Sequence, residues 1–236
     1  MDTSGSSFAS IVVALVVLAA FLASAPRMLR LSGRPIRVPV LAVVLVVVIG
    51  IPSIAQYLGV PAVGDALRRE PDATLQHGEW WRVLTSLLAQ DGGLVAAIFG
   101  LVVVAVAIAF SGWIQGAWLT LAIFLFCSIV LNLLAIGWGA VGGGTSFASD
   151  GTMLSVLALG LVQARNRIVM AAAIVAIAGG ILLVVIADAH GVAILLGAVI
   201  GATHGLLSRR RSPATGDAAA AISPGRSDPA AHGGRG

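Results

Sequence analysis

The stretch HGEWWRVLTSLL, residues 77–88, is the most polar and aromatic passage in a chain made otherwise of long apolar runs. Its adjacent tryptophans, Trp80 and Trp81, suit the boundary between water and lipid, where amphipathic rings settle at headgroup depth. Glu79 and Arg82 flank them, and an apolar run follows directly. The passage is therefore predicted to lie at a membrane surface, between one span and the next. An ordinary aromatic anchor would have the same composition.

The composition agrees with a membrane protein. Of 236 residues, 58% are hydrophobic and 10% charged, and the mean hydropathy is +1.03, which exceeds what a soluble core requires. The net charge of +4 does not indicate a nucleic-acid partner, because the arginines lie in short groups beside apolar runs. The single cysteine, Cys127, cannot form an internal disulfide. The absence of lysine and the abundance of Ala, Val and Gly favour a bacterial source.

Seven apolar runs predict seven transmembrane helices, at residues 8–25, 38–58, 94–110, 117–138, 151–162, 168–187 and 191–207. The first run resembles a signal peptide at its end, but no basic residue precedes it and Pro26 follows, so it is interpreted as a retained span. The expected fold is an all-α helix bundle. It comprises an extra N-terminal span with a basic linker (1–37), a six-helix domain (38–207) with an outer loop (59–90), and a disordered tail (208–236).

The distribution of charge supports this count. Arg27, Arg30, Arg34 and Arg37 follow the first run with no acid among them, which places this linker in the cytoplasm and the N-terminus outside. With seven spans, eleven of the fourteen arginines fall on the cytoplasmic side and eight of the ten acidic residues fall outside. If one span were missed, the charged residues after it would be assigned to the opposite side of the membrane, which would invert half of this pattern. The C-terminal tail is therefore predicted to be cytoplasmic.

Ionisable residues within spans are costly and hence candidates for function. His190 begins the last span and is followed by Ala193, Gly197 and Gly201, which share one helical face and permit close approach of a neighbouring helix. A histidine in water beside a packing stripe is the simpler interpretation. Asp150 and Asp188 are the candidate carboxylates near the same membrane surface.

The order Gly-Glu-Trp-Trp-Arg-x-Leu-Thr-Ser, starting at Gly78, resembles the rhomboid family of intramembrane serine proteases, in which this passage joins the first outer loop to the second core helix. The small-residue stripe after His190 is similar to the family's sixth core helix, which the base histidine heads. The resemblance covers residues 38–207. It implies that Glu79, Trp80, Trp81 and Arg82 form a structural platform in the outer leaflet, and that His190 is the base.

The family's nucleophile pattern, Thr-Ser-x-Gly-x-Ser-Gly, aligns with TSFASDG at residues 145–151, and this register places Asp150 at the serine position. Two serines remain as alternatives. Ser146 lies four residues too early and is expected in the loop above His190, whereas Ser149 is one residue out of register, about 100° around the helix. A loop that only caps a helix at Ser149 or Asp150 would also explain the sequence.

The family's oxyanion donors are a His-x4-His-x3-Asn pattern that begins eight residues after the arginine. Gln90, Val95 and Phe99 occupy those positions, and Val95 and Phe99 cannot donate a hydrogen bond. Loss of one such donor typically lowers the rate by about 10²–10³. The resemblance therefore implies a degenerate protease site.

The primary prediction is a rhomboid-like protein of the inner cell membrane that binds or regulates other transmembrane proteins without cleaving them. The alternative is a divergent intramembrane serine endopeptidase that uses Ser149 or Ser146 with His190. Membrane lipids and transmembrane clients or substrates are the expected partners, with no nucleic acid, cofactor or metal. A small transporter is disfavoured because no internal repeat is evident. In the degenerate site, the Asp150 carboxylate is expected within about 4 Å of the His190 ring, with Asp188 pointing elsewhere.

Overall fold

A computed structural model describes residues 8–164 and 166–210, and in this part of the chain every regular element is a helix. The ten helices are α1 (Phe8–Ser32), α2 (Val40–Ala55), α3 (Pro61–Leu67), α4 (Pro71–His77), α5 (Arg82–Thr85), α6 (Gly93–Gln115), α7 (Ala117–Gly137), α8 (Ser146–Gln163), α9 (Arg167–Val185) and α10 (Ala189–Arg210). The predicted all-α class is confirmed. The predicted tail lies outside the described residues from position 211 onward.

Five of these helices are long and apolar enough to cross a membrane, namely α1, α6, α7, α9 and α10. The chain is therefore a multi-pass membrane protein. The apolar helix α2 has 16 residues and a length of about 24 Å, which is shorter than the roughly 30 Å hydrocarbon core. Helix α8 has 18 residues, of which Ser146, Ser149, Asp150, Thr152, Ser155 and Gln163 are polar. The count of seven spans and the orientation stay predictions.

Helix α8 occupies the centre of the bundle. Every residue from 148 to 160 is buried, and α1, α6, α7, α9 and α10 all pack around it. The most extensive contact is with α10. A Cβ atom at Gly197 would overlap the backbone of Gly151, and one at Gly201 would overlap the backbone of Ser155. The small residues after His190 therefore let α10 lie directly against α8, and the two helices run parallel.

The N-terminal helix differs from its predicted extent. It continues through Pro26 to Ser32, so Arg27 and Arg30 belong to α1 and not to a linker. Proline is tolerated inside membrane helices because neighbouring groups satisfy the backbone that it disrupts. Val17 and Phe21 are fully buried and α1 packs against α8 and α9, so this extra helix is part of the core.

The long loop between α2 and α6 forms structure of its own, as its length predicted. It contains α3 and α4, each with proline at its first position, where the missing N–H costs nothing. The short helix α5 follows. Arg69, between α3 and α4, forms an isolated antiparallel bridge with Gly142 in the loop before α8. This loop is therefore attached to the segment that leads into the centre of the bundle.

Candidate functional site: a serine, histidine and aspartate at the start of two helices

His190 lies in the first turn of α10, and Asp188 holds it in two ways. The Oδ1 atom of Asp188 accepts a hydrogen bond from the backbone N–H of His190 at 2.9 Å, as an N-terminal capping residue does. The same oxygen lies 2.7 Å from Nδ1 of the ring. The expectation that Asp188 points elsewhere is wrong. It rested on spacing within a helix, whereas Asp188 precedes the first helical residue and its side chain folds back over the turn.

Ser146 contacts the other side of the same ring. Its Oγ lies 3.0 Å from Nε2 of His190, and the residue is exposed. The expectation that Ser146 stays in the loop is wrong, because α8 begins at this residue. The helix starts early because the N–H of Ser149 already donates to the carbonyl oxygen of Thr145. The first turn of α8 thereby carries Ser146 to the histidine.

The three side chains form one chain of hydrogen bonds. An ionised carboxylate only accepts, so Asp188 favours the tautomer of His190 with its proton on Nδ1. Nε2 is then free to accept the hydroxyl proton of Ser146. A hydroxyl, an imidazole and a carboxylate therefore lie within hydrogen-bond reach of one another, in the order that a nucleophile, its base and an orienting group would need.

Asp150 does not occupy the predicted position against the histidine. It lies four residues after Ser146, on the same face of α8 and one turn deeper. Within residues 8–164 and 166–210, its carboxylate forms no ion pair with His190, and its Oδ2 atom has no hydrogen-bond partner. The predicted Asp150–His190 contact within about 4 Å is therefore wrong. The reason is that Ser146 and Asp188 already occupy both ring nitrogens.

Ser149 is fully enclosed. Its side chain is buried, and its Oγ lacks a hydrogen-bond partner among the described residues. It lies three residues after Ser146, about 60° around the helix and one turn deeper in the bundle. The structure thus brings Ser146 to His190 and leaves Ser149 inside the bundle.

Three backbone contacts hold the glycine-rich loop that precedes Ser146. The backbone of Gly142 pairs with that of Arg69, and the N–H of Gly144 donates to the carbonyl oxygen of Ser86 at 2.9 Å. The N–H of Gly143 donates to the carboxylate of Asp91 at 2.7 Å. Gly142 and Gly144 have φ values of 147° and 143°, which only glycine adopts readily. The loop therefore has a defined course that ends at Ser146.

Arg69 is the residue that the sequence analysis missed. Its guanidinium is buried and donates to Oδ1 of Asn132 at 2.5 Å and to the carbonyl oxygen of Ala140 at 2.8 Å. It also lies 5.9 Å from the ring of Phe147, which in turn is 4.8 Å from the ring of His190. Burial lowers the pKa of Arg69, and Asp91 opposes this. The only signal in the sequence was a charged residue in a loop, which is usually solvated.

The positions that correspond to the family's oxyanion donors do not surround Ser146 as a set. Val95 is 83% exposed and Phe99 48% exposed, on the outer surface of α6. Gln90 is buried, and its Nε2 lies 3.4 Å from Oγ1 of Thr145, the residue next to Ser146. Of the three positions, Gln90 alone presents a donor near the start of α8.

The Trp-Trp-Arg passage is held to the preceding loop by Arg82. Its Nε donates to Glu79 at 2.5 Å, and its Nη1 donates to the carbonyl oxygens of Asp65 and Arg68 at 2.9 Å each. Trp80 and Trp81 are about half exposed. Arg82 thus fixes the course of the loop around α3, while both tryptophans face outward.

Comparison with models of known protein families finds none that matches this chain, and comparison with curated proteins finds no similar protein. The rhomboid resemblance therefore depends on the quoted motifs alone and stays a prediction.

Proposed function

We propose that this protein is a membrane-embedded serine hydrolase in which Ser146 is the nucleophile, His190 the base and Asp188 the residue that orients the base. The hydrogen-bonded series from the Ser146 hydroxyl through the ring of His190 to the Asp188 carboxylate carries this proposal. It favours the catalytic alternative over the non-catalytic function that the sequence put first.

The proposed reaction is acyl transfer to water. Ser146 Oγ attacks the carbonyl carbon of an amide or ester, and its proton moves to Nε2 of His190. The bond to the leaving group then breaks, and His190 returns the proton to the departing nitrogen or oxygen. Water attacks the acyl-serine with His190 again as the base, which releases the acid and restores Ser146. The positive charge on the ring in each step is opposite the Asp188 carboxylate.

Stabilisation of the oxyanion needs donors other than those of the family pattern. The first N–H groups of a helix have no acceptor within the helix, and Ser146 and Phe147 are the first two residues of α8. These groups and the side-chain amide of Gln90 are the proposed donors. Partial positive charge at the helix N-terminus adds to the same stabilisation.

The proposed substrates are transmembrane proteins of the same membrane. Ser146 is exposed at one end of a bundle whose other faces are apolar, so a substrate segment in the bilayer could reach it after partial unwinding. The proposed location is the inner membrane of a bacterial cell. The rhomboid resemblance supports an endopeptidase, since the base histidine and the Trp-Arg passage are the parts of the family pattern that this chain retains.

A second candidate is a protein that holds transmembrane clients without cleaving them. The observation that favours it is the replacement of two family donors by Val95 and Phe99, both directed to the outside. In this case the Ser146–His190–Asp188 series would be only a structural clasp between α8 and α10.

Labelling with a fluorophosphonate separates the two candidates. The reagent reacts when Ser146 Oγ forms a bond to phosphorus, fluoride leaves and His190 takes the proton. We expect labelling of the purified full-length protein that Ser146→Ala and His190→Ala abolish. Ser149→Ala is the matched control, because Ser149 is buried on the same turn and has no partner to lose; its labelling should equal that of the wild type. No labelling of the wild type would support the non-catalytic candidate, and labelling that persists in Ser146→Ala would overturn Ser146 as the nucleophile.

A further inference from the structure

A second polar feature lies at the opposite end of α6 from the candidate site. A cavity of about 500 Å³ opens between the linker that follows α1 and the turn between α6 and α7. Gly100 of α6 lies beside Thr145, whereas Trp113 lines the cavity thirteen residues, or about 20 Å, further along the helix. The cavity is therefore separate from Ser146 and His190.

Two arginines supply the charge of this cavity. Arg34 and Arg37 both line it and both are exposed. Arg34 extends over the α6–α7 turn, since a Cβ at Gly116 would lie 2.7 Å from its Nη1. In the chain from residue 8 to 164 and 166 to 210, neither guanidinium forms an ion pair with a carboxylate. The cavity thus presents two positive charges that no described acidic group neutralises.

The rest of the wall is apolar and includes Val38, Val40 and Leu41 of the linker and α2, and Ile108 of α6. Val38 and Val40 are exposed on the outside of the bundle. A small soluble anion makes no favourable contact with this apolar wall. An acyl chain packs against the wall and buries its apolar surface. The combination fits a ligand with one anionic end and one apolar end.

Tryptophans mark the depth of this cavity in the membrane. The indole Nε1 of Trp113 donates to the carbonyl oxygen of Arg37 at 2.8 Å and fixes the linker against α6. Trp118, at the start of α7, is 84% exposed. Tryptophan at helix ends is typical of the headgroup region, so the two arginines lie where phosphate groups of lipids are found.

We propose that this cavity binds an anionic phospholipid, with the phosphate between Arg34 and Arg37 and an acyl chain along Val38, Val40 and Ile108. Guanidinium groups form charge-assisted hydrogen bonds with phosphate oxygens. Basic pockets between membrane helices recognise headgroups in this way. The bound lipid joins the linker to α6 and α7 and stabilises this end of the bundle.

Native mass spectrometry of the purified full-length protein tests this site. Phosphatidylglycerol is titrated against phosphatidylcholine for the wild type, for Arg34→Gln/Arg37→Gln, and for Arg27→Gln/Arg30→Gln. The last variant is the matched control, because it removes the same charge from the adjacent end of α1 without touching the cavity. We expect phosphatidylglycerol to bind the wild type and the control alike, and the cavity variant about 30-fold more weakly, as two lost attractions to an anionic headgroup predict.

Three results would overturn the proposal. Equal binding of phosphatidylcholine would show that the charge is not recognised. Equal losses in the two double variants would show a general surface attraction in place of a site. Displacement of the lipid by inorganic phosphate at similar concentration would show that the site takes a free anion and not a lipid.

Discussion

Replacement of Asp188 by asparagine tests the catalytic interpretation most sharply. Asp188 has two tasks, capping α10 through the N–H of His190 and holding the ring through Nδ1. Asparagine caps a helix about as well as aspartate. Asp188→Asn therefore removes the negative charge at the ring while it preserves the cap at the start of α10, and the unfolding temperature reports separately any stability that is lost with the charge.

The expected effect on rate follows from the 2.7 Å contact between Nδ1 and Oδ1. A hydrogen bond to a charged group contributes about 1.5–3 kcal/mol, and about 1.4 kcal/mol corresponds to a factor of ten in rate. Loss of the charge alone thus lowers the rate at least about 10-fold. If the amide group turns its NH₂ to the ring, the proton moves to Nε2 and the loss approaches about 10⁴-fold, as in other serine hydrolase triads.

The assay is the second-order rate constant of fluorophosphonate labelling in detergent, with thermal unfolding measured on the same samples. Asp65→Asn is the matched control. It also removes one carboxylate, but from an exposed pair with Arg68 at 2.9 Å, and should leave labelling unchanged. A wild-type labelling rate in Asp188→Asn, together with complete loss in Ser146→Ala, would refute the role of Asp188 as the orienting group.

Gly201→Ala should lower the melting temperature of the purified protein, because the new methyl group overlaps the backbone of α8 and overpacking costs about 1–3 kcal/mol. Gly137→Ala, where a Cβ meets nothing within 4 Å, should leave it unchanged, and equal effects would contradict the close approach of α8 and α10. Arg69→Met should reduce fluorophosphonate labelling of the protein that remains folded, because the hydrogen bonds that hold the loop before α8 are lost. Full labelling would show that the loop keeps its course without them. For the topology, a cysteine at Ala62 should react with an impermeant thiol reagent in intact cells and one at Ile36 only after permeabilisation, and the reverse pattern would overturn the orientation.

The all-α fold was predictable, because a long apolar run in a membrane forms a helix that satisfies its own backbone hydrogen bonds. Helices α6, α7, α9 and α10 begin within two residues of their predicted starts. The errors lie at the ends where polar residues continue a helix. Arg27 and Arg30 extend α1 beyond Pro26, and the five residues before Gly151 belong to α8. Hydropathy identifies the residues that cross the bilayer core, but it does not identify the residue at which the helical backbone hydrogen bonds end.

The sequence named Ser146 and His190 as candidates, but it assigned the neighbour of the ring to Asp150 and not to Asp188. The family register also favoured Asp150 over Ser146 as that neighbour. What decided the outcome was the helix start at Ser146 and the reversal of the Asp188 side chain over the first turn of α10. Neither is visible in residue spacing. Arg69 was missed for another reason, since its role depends on contacts with a loop more than sixty residues away.

Ser146 lies one turn before Asp150, so the Ser146 hydroxyl and the His190 ring both lie in the first turns of parallel helices. The N-termini of α8 and α10 meet where Ser146 Oγ lies 3.0 Å from Nε2 of His190. Two helix N-termini stabilise negative charge and destabilise positive charge nearby. In the proposed reaction, this field would stabilise the oxyanion and compensate in part for the donors absent at Val95 and Phe99. The same field destabilises the positively charged form of His190. A carboxylate beside the ring is therefore more important here than it would be at the middle of a helix. Asp188 meets that requirement because the position before a helix is where an aspartate side chain turns back toward the first N–H groups. The same carboxylate thus caps the helix, selects the tautomer and offsets the field of the two helix ends.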